Sequence, residues 1–594
     1  MGLCHPRVSG EWLVSDRALP RAAGYHLAMP HRPLLLLLLC LPVAGASVGA
    51  DTYARQPLDV EHYRFAITLA DATDRITGEA TVRLRLIAAG VPTVALDLAN
   101  VSPAREGKGM TVESVTSEGH ALAFAHAADR LVVTLAAPSR KDQLLDLVVR
   151  YAGIPGGGLQ IKPNRHGDRT FFSDNWPNQA RQWLPTIDHI SDKATMEMDV
   201  VAPARYQVVS NGRRLEETDL PGGVRRTVWR ESVPIAPWLY ALGVAPFAVQ
   251  HLGDYHGVPI ETWVFAQDRD AGFYDFAVPA RDVLAFYSEW IGPYSYEKLA
   301  NVQSNSVSGG MESASAIFYA PGSVGGDRST RWRNVIIHEI AHQWFGDAVT
   351  ERDWNDVWLS EGFATYFTLL FIEHAYGRDE FVDGLRRSRQ TVLDFYAKTP
   401  DYRVVHDNLD DMSQVTTGMT YQKGAWVLHM LRQRLGDERF WAGIRAYYRR
   451  FKDATASTAD FREAMEQASG EDLSSFFQEW LYRGGVPRLA GTWSWDRAAQ
   501  AVTLELREVQ PGAPFRLTVG GGDPGAGRAR APRTDRDDVS GGARDVQGGS
   551  GTDRARARPE RAAARGRRTV APVDSATALV NHHVVDGFRY GNNK

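Results

Sequence analysis

Cysteine is almost missing: the 594-residue chain has two, Cys4 and Cys40. Both fall before the expected start of the mature chain. The mature protein therefore has no disulfide, no thiol nucleophile and no thiolate metal ligand. Any metal must be held by His, Asp and Glu. A long apolar run is missing as well. The one candidate, Leu34 to about Ala46 in "MPHRPLLLLLLCLPVAGASVGAD", is too short to cross a bilayer comfortably. Basic side chains precede it, and Ala44-Gly45-Ala46 follows in an A-x-A pattern, the layout of a secretory signal peptide over residues 29–50. The expectation is an exported protein, periplasmic or secreted, with no stable transmembrane anchor in the mature chain. Leu39 before Cys40 is too large for a lipoprotein cleavage site. Met29 is the expected start, which makes residues 1–28 upstream read-through.

An excess of basic charge is also lacking. The chain holds 67 Lys+Arg against 71 Asp+Glu. Residues 520–594 carry 14 against 9 and residues 1–50 carry 4 against 2, leaving 49 basic and 60 acidic residues between them. That is a poor surface for nucleic acid, whose affinity comes largely from neutralised phosphates. It suits substrates bearing a positive amine, or simply solubility. Between Gly520 and Ala578 there is no Leu, Ile, Met, Phe, Tyr, Trp, Lys or Cys. Such a segment buries too little apolar surface to offset chain entropy. It reads as a disordered tail or as a frame-shifted β-segment, the second being preferred for its abrupt boundary and its excess of Arg over Lys.

What is present divides by period. From residue 51 to about 250, short β-rich runs such as "HYRFAITL", "EATVRLRLI" and "MEMDVVAP" are punctuated by turn residues, which predicts a mostly antiparallel β-domain. From 251 to about 485 apolar residues recur every three or four, as in "YDFAVPARDVLAFYSEWIG", and helices are expected. A short, incomplete β-like segment, 486–519, follows. The whole is α+β and multidomain. "PGGG" at 155–158 is a turn, and "PGSVGGDR" at 321–328 reads as a flexible loop and candidate lid. His374 and His429 stand on helices without a partner at ligand spacing and are expected to pack or face solvent.

The chemistry concentrates in "NVIIHEIAHQWFGD", residues 334–347. Helical positions i and i+4 share a face, so His338 and His342 can aim at one ion, with Glu339 beside it. Nineteen residues after His342, across an eighteen-residue gap, comes Glu361, in the apolar helical stretch "NDVWLSEGFATYF". A carboxylate there is costly to bury without a cation. Two histidines and a glutamate leave a fourth zinc position open, the arrangement of a catalytic site, with one Zn²⁺ per chain expected. Glu339 would then serve as general base toward an attacking water.

HExxH, the eighteen-residue gap and the Glu of "WLSEG" together resemble the zinc aminopeptidases of the membrane alanyl aminopeptidase and leukotriene epoxide hydrolase type. "SGGMESASAIFY" is similar to that family's G-x-M-E-N motif and "MTYQKGAWVLHML" to its Y-x-K-G-A segment. The resemblance covers roughly Asp51 to Leu489 and implies a thermolysin-like, mostly helical zinc catalytic domain behind the β-domain. It implies that Glu312 grips the free α-ammonium of peptide substrates. Gly309, Gly310 and Met311 would form the strip beside the extended substrate, and Tyr421 would donate to the oxyanion. Two departures stand out: Ser313 takes the place of the motif's Asn, and Trp176 stands where a second amine anchor is usual. Either Asp174 or Asn175 can substitute for that anchor, or Trp176 can line the pocket for the first side chain. No counterpart of the family's C-terminal helical domain is seen, which implies a more open cleft. The rivals are a thermolysin-like endopeptidase, an epoxide hydrolase using the same zinc site, and a non-catalytic scaffold.

Overall fold

The computed structural model describes residues 55–405, 416–496, 498–499 and 501–517, with four short strand fragments beyond them. The expected read-through, the signal peptide, both cysteines and most of the tail lie outside the described residues. No helix among the described residues is long and apolar enough to cross a membrane.

The N-terminal part is β-rich, as the alternating runs predict. Eight strands form one sheet in the spatial order Arg213–Leu220, Val224–Ile235, Ala194–Pro203, Leu58–Thr68, Ile76–Leu86, Gln143–Ile154, Gly109–Ser117, His120–Ala121. Every pair in it is antiparallel except Leu58–Thr68 with Ala194–Pro203. Alternate residues of the strand Leu58–Thr68, such as Tyr63, Phe65 and Ile67, point into the core while His62 and Arg64 face outward.

A second, five-stranded sheet runs in the order Phe247–Tyr255, Val258–Phe265, Leu299–Gln303, Ala316–Tyr319, Gly310–Met311. Its last member is a two-residue edge strand, antiparallel to Ala316–Tyr319. Among the described residues eight α-helices accompany it; the first five are α1 (Arg269–Trp290), α2 (Thr330–His342), α3 (Trp358–Tyr376), α4 (Arg378–Tyr396) and α5 (Gly424–Leu435). Helix α3 is apolar nearly all round, so it lies at the centre of the helical core. Phe345, just past α2, sits 4.7 Å from Phe363 and 4.9 Å from Phe367 of α3. Each such aromatic pair adds about 0.5–1.5 kcal/mol beyond area burial, and together they fix the end of α2 against α3.

Side chains of Lys193, Lys298 and Asn211 are among those that tie this body to the β-rich one. Lys193 Nζ donates to the carbonyls of Asp347 (2.8 Å) and Ala348 (3.0 Å). Lys298 Nζ donates to the carbonyls of Ser210 (2.6 Å) and Gly212 (2.8 Å). Asn211 Nδ2 donates to the Ala314 carbonyl at 2.7 Å. Lys298 and Asn211 are buried and Lys193 is half-buried, and carbonyls satisfy their donors.

The loop at 321–328 is not a free lid. Asp275 of α1 accepts from the backbone N–H groups of Gly325 (2.8 Å), Gly326 (2.7 Å) and Arg328 (2.8 Å). Ser323 and Val324, within the loop, are buried. Gly and Ser composition suggests a flexible loop; three hydrogen bonds anchor it to one carboxylate instead. "PGGG" is the expected turn, between the strands Gln143–Ile154 and Leu159–Pro163. His429 is buried, with Tyr366 Oη 3.1 Å from its Nδ1, and His374 is exposed against Phe286 at 4.8 Å.

Candidate active site

Helix α2 begins at Ser329, whose hydroxyl accepts from the Trp332 N–H, and ends before Gly346, where φ is +115°. A Cβ at Gly346 would press on Ser360 Oγ and stand 3.1 Å from His342 Nδ1. Only glycine turns the chain this sharply beside the second histidine.

The two imidazoles do share a face. His338 Nε2 and His342 Nε2 lie 3.1 Å apart, and Glu361 Oε2 is 3.3 Å from each. Ligands held at 2.0–2.1 Å on the corners of a tetrahedron stand roughly 3.3 Å apart. The three atoms are thus spaced as a zinc ion would space them. His342 Nδ1 lies 3.1 Å from the Phe345 carbonyl and 3.0 Å from Ser360 Oγ. Its proton belongs on Nδ1, donated to that carbonyl, which leaves the Nε2 lone pair toward the other two ligand atoms. The donor set fits a divalent cation.

Glu361 is buried. Burial pushes its carboxyl up, but His342 and His338 beside it outweigh that and hold it down at about 2. Its second oxygen, Oε1, accepts from Tyr421 Oη at 2.6 Å. Tyr421 belongs to a single π-turn, Met419–Lys423, at the start of α5, a local irregularity common at functional sites. Two glycines make that contact possible. A Cβ on Gly362 would stand 2.9 Å from Gly424 Cα, so α3 and α5 touch backbone to backbone where "SEG" meets "KGA". Sequence spacing does not show this crossing. Burial, then the Glu361 charge, raises the Tyr421 hydroxyl well above its ordinary value, so it stays a donor.

Glu339 and Glu312 are both buried, and their carboxylates and His342 bring ligand atoms within 4.8 Å of one another. Burial and the neighbouring carboxylates raise both acids. A Cβ at Gly310 would collide with the Glu339 carboxyl, whereas Gly309 faces open space. Gly310 therefore makes room for Glu339 itself, and Gly309 makes room beside the strand.

Beside the edge strand lies a cavity of about 470 Å³, lined among others by Asp174, Trp176, Gly309, Gly310 and Met311. Asn175 faces away from it: its Nδ2 donates to the Tyr240 carbonyl (2.8 Å) and its Oδ1 accepts from Trp183 Nε1 (2.9 Å). Asp174 is on the cavity side, close enough for its charge to act on Glu312. Trp176 is held edge-on between Trp238 (4.9 Å) and Trp354 (4.8 Å) and forms part of the wall. Gln343, which sequence reasoning passed over, is buried among these groups and bonds the backbone of both Glu312 and Ser315.

A β-rich domain followed by a helical one, with a His-His-Glu donor set and a buried glutamate next to it, defines a metallopeptidase. Residues 275–480 match the Peptidase family M1 domain and residues 59–239 the Peptidase M1 N-terminal domain. Together they span more than half of the chain, which belongs to peptidase family M1. The chain is 26% identical over 377 residues to glutamyl aminopeptidase of Sus scrofa, covering 59% of this chain and 39% of that protein. It is 28% identical over 320 residues to a probable aminopeptidase 2 of Sulfurisphaera tokodaii, covering 52% and 40%. The chain thus spans about two-fifths of the length of these relatives. Among solved structures, a mutant M1 zinc metallopeptidase from Deinococcus radiodurans bound to a Tyr-Ser-Ala substrate superposes with a TM-score of 0.62 at 26% identity, covering 73% of this chain and 95% of that one.

Proposed function

We propose that the protein is a zinc-dependent aminopeptidase that removes N-terminal residues from peptides. The observation that supports this reading best is the convergence of buried Glu312 and Glu339 on His342, within 4.8 Å, at the edge of the His338–His342–Glu361 donor set. A buried cluster rich in carboxylates needs positive charge, and a substrate ammonium supplies it one residue away from the hydrolytic centre.

His338, His342 and Glu361 would hold one Zn²⁺ per chain. When bound, that ion supplies Lewis acidity toward the scissile carbonyl and the attacking water. Glu339, one position from His338, takes the proton from the water and delivers it to the leaving amine. Tyr421, kept protonated by its surroundings, donates to the developing oxyanion. Substrate runs along the open side of the edge strand Gly310–Met311, extending the sheet. Gly309 leaves space for it, and Glu312 binds its ammonium. Asp174 serves as the second amine anchor in place of the residue displaced by Trp176. Trp176 and Met311 bound the space for the first side chain. The domains assigned are the β-domain to about residue 250, the catalytic domain to about 485 and the β-like segment after it. Export to the periplasm or outside the cell rests on the segment at 29–50.

The test compares a free-amine reporter peptide with its N-acetylated form, with and without a chelator. Cleavage of the free-amine peptide alone, abolished by chelation and restored by zinc, is expected. Equal cleavage of both forms would show an endopeptidase instead.

A further inference from the structure

We infer that Gln343 is a positioning residue that fixes the distance between the amine pocket and the metal-ligand helix. The inference rests on the aminopeptidase reading, because it concerns how Glu312 is held.

Gln343 follows His342 directly and is fully buried. Its Oε1 accepts from the Ser315 N–H at 2.8 Å and from Tyr294 Oη at 3.2 Å. Its Nε2 donates to the Glu312 carbonyl at 2.8 Å and to Asp347 Oδ2 at 2.7 Å. Both N–H groups are used and Oε1 holds the Ser315 N–H, while the single Tyr294 proton is shared between Oε1 and the nearer Lys298 carbonyl at 2.9 Å. Turning the amide over would set its oxygen against two acceptors and its N–H₂ against the Ser315 N–H, so one orientation is enforced.

The segment it grips is not relaxed. Ser315 has φ +62°, a region that a residue with a Cβ seldom adopts. The Ser315 hydroxyl accepts from the Gly212 N–H at 2.7 Å and donates to Glu231 Oε2 at 3.1 Å. The preceding carbonyl, of Ala314, accepts from Asn211 Nδ2. A strained turn persists only where its surroundings over-determine it. Here the β-rich body holds one side and Gln343 the other. One side chain thereby fastens both ends of residues 312–315 to the turn after His342. The amine pocket cannot drift relative to the histidines, and that fixed span sets how far from the N-terminus cleavage falls.

A merely structural glutamine would affect all ligands alike; a positioning one affects ligands with an amine. The probes are L-leucine hydroxamate and 4-methylpentanohydroxamate, which differ only in the amine, titrated calorimetrically into the zinc-loaded full chain. The amine-bearing compound should bind the unsubstituted protein more tightly. In Gln343→Met that preference should fall about tenfold, roughly the worth of one charge-assisted hydrogen bond, with the des-amino affinity and zinc content unchanged. A preserved preference, or an equal loss for both probes, overturns the inference. Gln343→Glu keeps the shape and the acceptor for Ser315 but loses the donor to Glu312. Its second carboxyl oxygen faces the Glu312 carbonyl and Asp347 Oδ2, so the preference should fall at least as far. This variant decides the matter if Gln343→Met does not fold; an unchanged preference in it overturns the inference. No amine preference in the unsubstituted protein removes the Glu312 reading itself, and this inference with it.

Discussion

Gly362→Ala tests whether the backbone contact between α3 and α5 sets the active-site geometry. The new Cβ would stand 2.9 Å from Gly424 Cα, 3.1 Å from its carbonyl carbon and 3.2 Å from the Thr420 oxygen. All three are backbone atoms and cannot rotate away. Carbon atoms pack best at about 3.5–4.0 Å, so the two helices must part by roughly 0.6–1 Å. Overpacking of this kind costs about 1–3 kcal/mol, and alanine returns about 1 kcal/mol of helix propensity. The net loss of stability is then about 0–2 kcal/mol. Activity should suffer more. The Tyr421–Glu361 hydrogen bond is 2.6 Å, and a displacement near 1 Å lengthens it past usefulness. Misplacement on that scale costs about 10²-fold in rate. Denaturant unfolding and kcat on an aminoacyl reporter read both quantities. Gly418→Ala, whose Cβ meets only Thr391 Cγ2 at 3.5 Å, is the control and should change neither. An unchanged kcat in Gly362→Ala, with metal fully bound, would refute the reasoning.

Glu339→Gln should retain zinc and lose nearly all turnover; appreciable residual kcat would remove Glu339 as the base. Tyr421→Phe should lower kcat by about 10²–10³, the loss of one oxyanion donor. It should also weaken zinc affinity about 10-fold or more, because the same hydroxyl orients Glu361, and competition with a chelator measures this separately from rate. Lys423 is buried, and that burial, with Arg483 nearby, pushes its ammonium down to about 7, against roughly 10.4 in an unfolded chain. Between those values the unfolded chain holds the extra proton, so stability rises with pH from about 7 upward and is poorest below it. Lys423→Met should remove that slope and be the more stable form near pH 6 in denaturant titrations. Parallel pH profiles for the two proteins would contradict the assignment.

Much of the site was legible because its parts follow helical periodicity. His338 and His342 one turn apart, and Glu361 on a segment too apolar to bury a lone carboxylate, needed no tertiary information. The change from period-two to period-three-and-a-half patterning likewise announced a β-rich body before a helical one. What could not be read depends on contacts between distant segments. The loop at 321–328 has the composition of a mobile segment, and nothing local reveals that Asp275 pins it. Asp174 and Asn175 are adjacent polar residues, and only the packing of Trp183 and Tyr240 shows that Asn175 is already committed. A side chain at Gly310 would run into the Glu339 carboxyl, a contact that no local pattern shows. Gln343 looks like an ordinary helix residue until Ser315 and Glu312 are seen against it.

The most direct test is crystallographic: anomalous scattering at the zinc edge from protein purified with zinc. One strong peak among His338 Nε2, His342 Nε2 and Glu361 Oε2, at about 2.0–2.2 Å from each, is the predicted result. No peak there at full zinc supplementation, or a peak held by other residues, would contradict the account.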